Sequence, residues 1–438
     1  MAELFLYILY ALPGAAIAGY ALAEMLIFGR LNFKSFSLFN IALMFFFVPL
    51  FIRITGDGVS PNFISYNFPK RLDLFFLFLP LASGTVFCFL LAYHSTTKFR
   101  YRIEFLMPSP IRFIFVLTAI GAGSWLTYIQ LYGGLDYVLQ NISRIRSGTD
   151  ENKNYLGALF RIFSDFLIFA AFFSFSHYRA KTRWALPVFI ILFAFAFGKL
   201  FLDGGRGGLI NLFIGIYFIF VQSSGKIGFH LVMILTTVSY YIGTYGKILL
   251  FSLFTDIPLE VLLYNAAEAS GGLANFVTEY SHQFLSTLIA LEYSSVISDR
   301  FGVDLFVWLI KPLKLLGVPV PDSVSFYNTY LITGDWDSEV PPGIIALGLY
   351  NFGVPFFWIS IFLWGILCAT LDKSFRNSGS ATDPNVRAMY AIFFVFLQFG
   401  LMNADPALLF QWLIGVISLV FFLRFFRFYK CRRAGGAG

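Results

Sequence analysis

A chain of 438 residues that is 58% hydrophobic, 20% aromatic and only 13% charged has too little polar surface to be a water-soluble globule; with a mean hydropathy of +0.76 it reads as a polytopic membrane protein. The net charge of +7 bears on topology rather than on nucleic acid, because Lys and Arg collect in loops on one side of a bilayer. Cys88 and Cys368 fall in apolar runs and Cys431 in the tail, which gives neither a disulfide framework nor a metal spacing, so no cofactor is expected.

Crossing about 30 Å of hydrocarbon takes roughly 20 apolar residues in a helix. Runs of that kind predict spans near 4–28, 36–52, 73–93, 111–132, 155–178, 184–202, 207–222, 228–250, 344–371, 387–403 and 406–426. The fold class is therefore all-α, an integral membrane bundle of about eleven helices. Residues 1–250 would hold the first eight helices, 251–343 a long loop, and 344–438 the last three helices and a basic tail. The first run has no Lys or Arg before it, which argues for a retained span over a cleaved signal peptide.

Alternate loops are basic. Arg30 and Lys34 follow the first span, Lys98, Arg100 and Arg102 the third, and Arg179 to Arg183 the fifth; Lys226 precedes the eighth. The tail, with Arg424, Arg427, Lys430, Arg432 and Arg433, has the same parity, so the C-terminus is expected in the cytoplasm and the N-terminus outside. The same count puts four features outside: the loop 144–154, the turn after span six, Asn403-Ala404-Asp405, and the insertion 251–343.

The turn after span six reads Asp203-Gly204-Gly205-Arg206-Gly207-Gly208. Glycines let backbone N–H groups approach a ligand, and Arg206 stands at a helix start, where unpaired N–H groups and the helix dipole favour an anion such as phosphate. The alternative is a tight turn from which Arg206 snorkels to the headgroups. The loop before span five adds Arg144, Arg146 and Lys153 beside Asp150 and Glu151, either an anion-binding face or a solvated one. Arg161 and Asp165, spaced i to i+4 in span five, either neutralise each other or form a polar site wall; Glu24 and Lys199 lie near span ends, where they can snorkel, and both read as structural.

The insertion carries eleven Asp and Glu and few Lys or Arg. Stretches at 284–297 and 305–316 predict amphipathic helices lying at the membrane surface or capping the bundle, the second stopped by Gly317-Val318-Pro319-Val320-Pro321. A polar turn, 334–339, precedes Pro341-Pro342-Gly343. Candidate proton acceptors are Asp335, Asp337, Glu339, Glu279 and His282, each with a bland reading as a solvated or turn residue; Tyr327, Tyr330 and Trp336 could stack on sugar faces. Clustered arginines, a helix N-terminus and an acidic loop suit a lipid-linked diphosphate, whose departure needs fixed cations. No ATP-type loop or nucleotide-sugar fingerprint is present, and no internal repeat of the kind many transporters show.

The Gly204-Gly205-Arg206-Gly207 turn, the long outer loop and the stretch from Val340-Pro341-Pro342-Gly343 through Tyr350-Asn351-Phe352-Gly353-Val354-Pro355 resemble the Wzy-type oligosaccharide repeat-unit polymerases of O-antigen, enterobacterial common antigen and capsule assembly. The resemblance implies a bacterial inner-membrane glycosyltransferase working at the periplasmic face. Such an enzyme moves a growing glycan from undecaprenyl diphosphate onto the non-reducing end of an incoming lipid-linked repeat, without metal or nucleotide, alongside a Wzz-type chain-length-regulating co-polymerase. It implies Arg206 as a diphosphate ligand, with Arg146 and Arg144 following by position. The alternatives are an O-antigen ligase of the same superfamily and a lipid-linked oligosaccharide flippase.

Overall fold

The computed structural model describes residues 2–28, 31–57, 71–96, 101–105, 109–147, 154–203, 206–226, 272–293, 300–310, 318–334, 340–425 and 429–433, with isolated residues at 59, 63 and between 228 and 261. Helices dominate, and nine of those described are long and apolar enough to cross a membrane. The predicted span 228–250 lies largely outside the described residues. The chain groups into two compact units, Met1–Phe99 with Gly272–Asp372 and Leu397–Gln411, and Arg100–Gly271 with Lys373–Phe396 and Trp412–Gly438.

The first unit is built on α1 (Ala2–Phe28), α2 (Phe33–Thr55, with a π turn at Leu43–Phe47) and α3 (Leu72–Ser95). Asn32 opens α2 with a capping box: its side chain accepts from the Ser35 N–H, and the Ser35 hydroxyl accepts from the Asn32 N–H. The buried Asp372 carboxylate takes two more of the start's orphan donors, the N–H groups of Phe33 at 3.0 Å and Lys34 at 3.3 Å, and also accepts from the Tyr93 hydroxyl at 2.7 Å. Lys34 in turn pairs with Glu24, so this end of the unit is closed by mutual neutralisation; Glu24 does not simply reach for water.

Helix α10 (Gly272–Glu292) runs through the middle of this unit, with Phe284 and Leu285 and every residue from Ser286 to Ala290 buried. The Phe284 ring packs 5.2 Å from Phe75 and 4.8 Å from Phe78. Of the two placements expected for 284–297, at the membrane surface or capping the bundle, the burial of 284–290 rules out the first. The polar side chains of the helix's buried part, Gln283 to Ala290, are uncharged, and hydroxyls can bond the preceding turn, as Thr287 does to the Gln283 carbonyl at 2.8 Å; no water-facing stripe is needed there. Short helices α11 (Asp304–Ile310) and α12 (Val324–Thr333) follow.

The predicted span 344–371 is not one helix. Helix α13 (Gly343–Phe352) stops at Gly353, whose φ of 70° and ψ of 178° belong to a region that side chains exclude, and α14 (Trp358–Asn377) starts after a 3₁₀ turn at Val354–Phe356. The chain then passes so close to α13 that a Cβ on Gly348 would lie 2.1 Å from the Phe357 carbonyl oxygen.

The second unit contains β1 (Tyr101–Phe105), α4 (Pro110–Leu131), α5 (Leu135–Ser147), α6 (Tyr155–Phe163), α7 (Phe166–Arg179), α8 (Ala185–Leu202) and α9 (Arg206–Ser224), together with parts of α15 (Pro384–Asn403) and α16 (Pro406–Phe425) and the strand β2 (Tyr429–Arg433). Span five is thus broken at Ser164-Asp165, and α4 packs closely just beyond the break, where a Cβ on Gly121 would lie 2.7 Å from the Leu167 nitrogen. At the far end of α7 the His177 ring lies 3.0 Å from Asn385, and Arg179 donates to Ser223 at 2.9 Å and covers the Phe220 ring. The end of α7, the end of α9 and the start of α15 therefore share one end of this unit.

Gly348→Ala is expected to destabilise the protein by on the order of 3 kcal/mol, since the clash is with backbone and cannot be relieved by a rotamer change. Gly19→Ala, with nothing within 4 Å, serves as the control and should melt at or above the wild-type temperature in detergent.

Candidate functional site

The richest ionic group lies at the other end of the second unit, around the α8–α9 turn. Lys199 is in the last turn of α8 and only 2% exposed. Its Nζ lies 2.6 Å from Asp165 Oδ1 and 2.9 Å from Asp203 Oδ2, while Arg161 Nε is 4.0 Å from the same Asp203 oxygen. Asp203 also ends α8, its N–H bonded to the Lys199 carbonyl. Two cations and two carboxylates cancel, which is what lets them be buried: an ammonium in hydrocarbon is tolerated when paired and hydrogen-bonded.

This arrangement corrects two expectations. Asp165 is taken by Lys199 rather than by Arg161, because the helix breaks at Ser164-Asp165 and the i to i+4 geometry is lost. Lys199 turns inward and does not snorkel, because two carboxylates meet it there.

The arginine-bearing loop is drawn to the same end. Helix α5 carries Arg144 and Arg146, and Ile145 between them packs into a cluster with Val138, Tyr128 and Tyr132. Tyr128, fully buried on α4, is within electrostatic reach of Arg161 and Asp203. Asn154 fastens the return: its side chain caps α6 by accepting from the Gly157 N–H at 2.9 Å and donates to the Leu131 carbonyl, while its own carbonyl accepts from the Tyr132 hydroxyl. Across the turn α9 approaches α8 closely, and a Cβ on Gly208 would lie 2.7 Å from the end of the Leu200 side chain. Arg206 is the first residue of α9, three positions beyond Asp203, with the half-buried Gly207 next. The backbone positions of Arg144, Arg146, Arg161 and Arg206 thus gather at one end of one unit. Lys153 and Gly205 lie outside the described residues.

The remaining candidates belong to the first unit. His282 is half-buried on α10, one turn before Ser286, and Glu279 is on the same helix; Asp335, Trp336, Asp337 and Glu339 lie outside the described residues. Tyr327 and Tyr330 are on α12. The Tyr327 ring lies 5.0 Å beneath the Arg300 guanidinium and 5.7 Å from Tyr350, whereas Tyr330 is 42% exposed.

Around them runs a hydrogen-bonded network that the sequence reading missed. Asn328 donates to Ser286 Oγ at 3.0 Å and to the Val340 carbonyl at 2.8 Å, and accepts from the Tyr350 hydroxyl at 2.7 Å. Thr329 accepts from the Val340 N–H, and Asp304, paired with Arg300, accepts from Asn351. Asp405 accepts from the N–H and hydroxyl of Ser325 while capping α16 through the Ala407 N–H. The available signal was the paired Tyr-Asn steps 327–328 and 350–351: an amide inside an apolar run has to find partners.

No protein-family model matches this chain, and no curated protein and no solved structure is significantly similar to it.

Lys199→Met leaves Asp165 and Asp203 buried without their cation, and is expected to cost about 3–5 kcal/mol. Adding Asp165→Asn should recover much of that loss. Melting temperature in detergent and abundance in membranes measure both; a Lys199→Met protein as stable as wild type would remove the ion group from the account of what holds this end together.

Proposed function

We propose that this protein is a lipid-linked glycan polymerase of the Wzy type, acting at the periplasmic face of a bacterial inner membrane. The observation that carries the reading is that the backbone positions of Arg144, Arg146 and Arg206 come to the same end of the unit as a group in which Asp165 and Asp203 already meet Lys199 and Arg161. Acids consumed internally do not neutralise cations brought to the same end. A surplus of guanidinium groups at a helix N-terminus suits a diphosphate, which they bind through paired, non-titrating donors.

In the proposed reaction an acceptor hydroxyl of the incoming repeat attacks the anomeric carbon of the growing chain. The bond from that carbon to the diphosphate oxygen breaks, and undecaprenyl diphosphate leaves with the electron pair. Arg206, Arg146 and Arg144, with the backbone at Gly205 and Gly207, hold the departing charge, and the hydroxyl proton passes to a general base. The activated donor supplies the driving force, so no nucleotide is consumed. Arg161 and Lys153 would complete the phosphate-side wall. Asp165 is proposed here as a structural partner of Lys199. A chain-length-regulating co-polymerase is the expected protein partner.

A second reading, a lipid-linked oligosaccharide flippase, is favoured by the helix break at Asp165 beside a buried lysine, since interrupted spans with intramembrane ions are common in transporters.

One experiment separates the readings. Cells relying on Arg206→Ala are expected to accumulate lipid-linked glycan of a single repeat on the outer leaflet, with polymerisation down by about a hundredfold or more. A normal polymer length distribution would overturn the assignment; repeats stranded on the inner leaflet would favour the flippase, and long chains retained on undecaprenyl diphosphate a ligase.

A further inference from the structure

Where α7 stops and α8 starts, at the opposite end of α8 from the ion group around Lys199, the second unit carries a cavity. Tyr178, Arg179, Lys181, Thr182, Arg183 and Leu186 line about 430 Å³ of space, within the roughly 300–1,000 Å³ of small-molecule sites. Three of the six are cations and none is an acid. Lys and Arg collect on one face of any membrane protein, so their presence alone makes no site; what distinguishes these is how they are held. Lys181 and Thr182 return their N–H groups to the Tyr178 and His177 carbonyls, a Schellman motif that closes α7. That motif needs a left-handed residue just past the helix, a place glycine takes most readily, and here it is Lys181 at φ 62°. A long cationic side chain is thus kept where its absence would relieve strain.

Arg179 is positioned from α9: its Nε donates to Ser223, and its guanidinium lies 4.6 Å from the centre of the Phe220 ring. Lys181 and Arg183 are exposed, and among the described residues no carboxylate pairs with either of them or with Arg179. Arg387 of α15 adds to the field. It is 3% exposed, donates from Nε and Nη2 to the carbonyls of Ser380 and Ala381, and is within electrostatic reach of Arg179. Neutral carbonyls satisfy its donors and leave its charge. Asp383 also reaches Arg387, but it accepts from the Asn385 and Val386 N–H groups at the start of α15. In this group four cations stand against one carboxylate. The cavity lies at the junction of two spans, and Leu186 on its wall is followed one turn along α8 by Ile190, both exposed.

We propose that this cavity binds a phosphate group, carried by a lipid of the adjoining leaflet or by a solute. Arg179, Lys181 and Arg183 donate to its oxygens, and for a lipid the strip of Leu186 and Ile190 takes the start of an acyl chain. The site is apart from Arg206 and stands whether or not the catalytic reading does.

The test measures binding to the full chain in neutral detergent of two probes, dioleoyl phosphatidic acid and glycerol 3-phosphate, which is the same head group without chains. Phosphatidylcholine and glycerol are the references. A probe is expected to bind more tightly than its reference, by an affinity that falls about tenfold or more in Lys181→Gln/Arg183→Gln. It should be unchanged in Arg112→Gln/Arg424→Gln, which removes two exposed cations outside the cavity lining. Such binding by phosphatidic acid alone identifies a lipid phosphate, and equally tight binding by glycerol 3-phosphate a solute. Lys181→Gly separates ligand from fold: it should melt at or above the wild-type temperature, because the left-handed position no longer holds a side chain, yet bind the probe more weakly. If neither probe binds the wild type more tightly than its reference, the proposal is overturned whether or not the variants fold. Binding that survives in Lys181→Gln/Arg183→Gln, or that falls as much in Arg112→Gln/Arg424→Gln, overturns it too.

Discussion

The burial of one ammonium group organises the second unit. Lys199 is taken out of water within a span, and the desolvation this entails, several kcal/mol for a single ion, is met only by bringing two carboxylates to it. Asp203 comes from one turn on, at the residue that ends α8, three positions before α9 begins at Arg206. Asp165 comes from another span, and it reaches Lys199 from a helix that breaks at that residue. The turn carrying Arg206 is therefore not a free loop. It starts from a residue whose side chain is clamped by Lys199 and within 4.0 Å of Arg161.

Close backbone approach does for the first unit what ion pairing does for the second. Gly343 packs against Gln283 of α10, with 2.7 Å between its Cβ position and the Gln283 Cβ; Gly348 packs against the backbone at Phe357, and Gly353 reverses the chain. Spaced by five residues, these glycines let α13 press onto α10 on one side while receiving the returning chain on another. That removes side-chain volume where a helix pair would otherwise be held apart, and gains dispersion contacts in exchange. The stretch 340–355, which suggested a family by its residues, has a structural reason for each of these three glycines.

Most of the membrane-crossing helices could be read from the sequence, because a run of some 20 apolar residues has few other uses. What could not be read has common physical causes. The buried course of α10 was hidden because Ser281, Ser286 and Thr287 look like a water-facing stripe, although hydroxyls can be satisfied by the helix's own carbonyls. The break at Gly353 falls inside an unbroken apolar run, so hydropathy alone crosses it, and only Gly and Pro hint at the turn. At the candidate site, Arg161, Asp165 and Lys199 were visible as ionisable residues in spans, but their pairing was not. Periodicity along one helix suggested a partner four residues away, whereas the partner that won is 34 residues distant. Asn328 and Asn351 were missed outright because amides carry no charge to draw attention.

The two polar assemblies also differ in what they leave available. The amide of Asn328 uses its donors on Ser286 and Val340 and accepts from Tyr350, so it has little capacity left for a sugar hydroxyl. Its effect is to hold Val340 against α12, with Thr329 bonding the Val340 N–H and the Gly334 N–H returning to the Tyr330 carbonyl. Both ends of the acidic turn that begins after Gly334 are thereby fixed to adjacent residues of one helix. In the second unit the buried polar group is ionic: the carboxylates of Asp165 and Asp203 are consumed by Lys199 and Arg161, so the group is neutral within itself. A clamp made of amides and hydroxyls and a self-neutralising ion group are different uses of burial. The first sets where a loop is held, and the second ties the end of α8 to the break between α6 and α7.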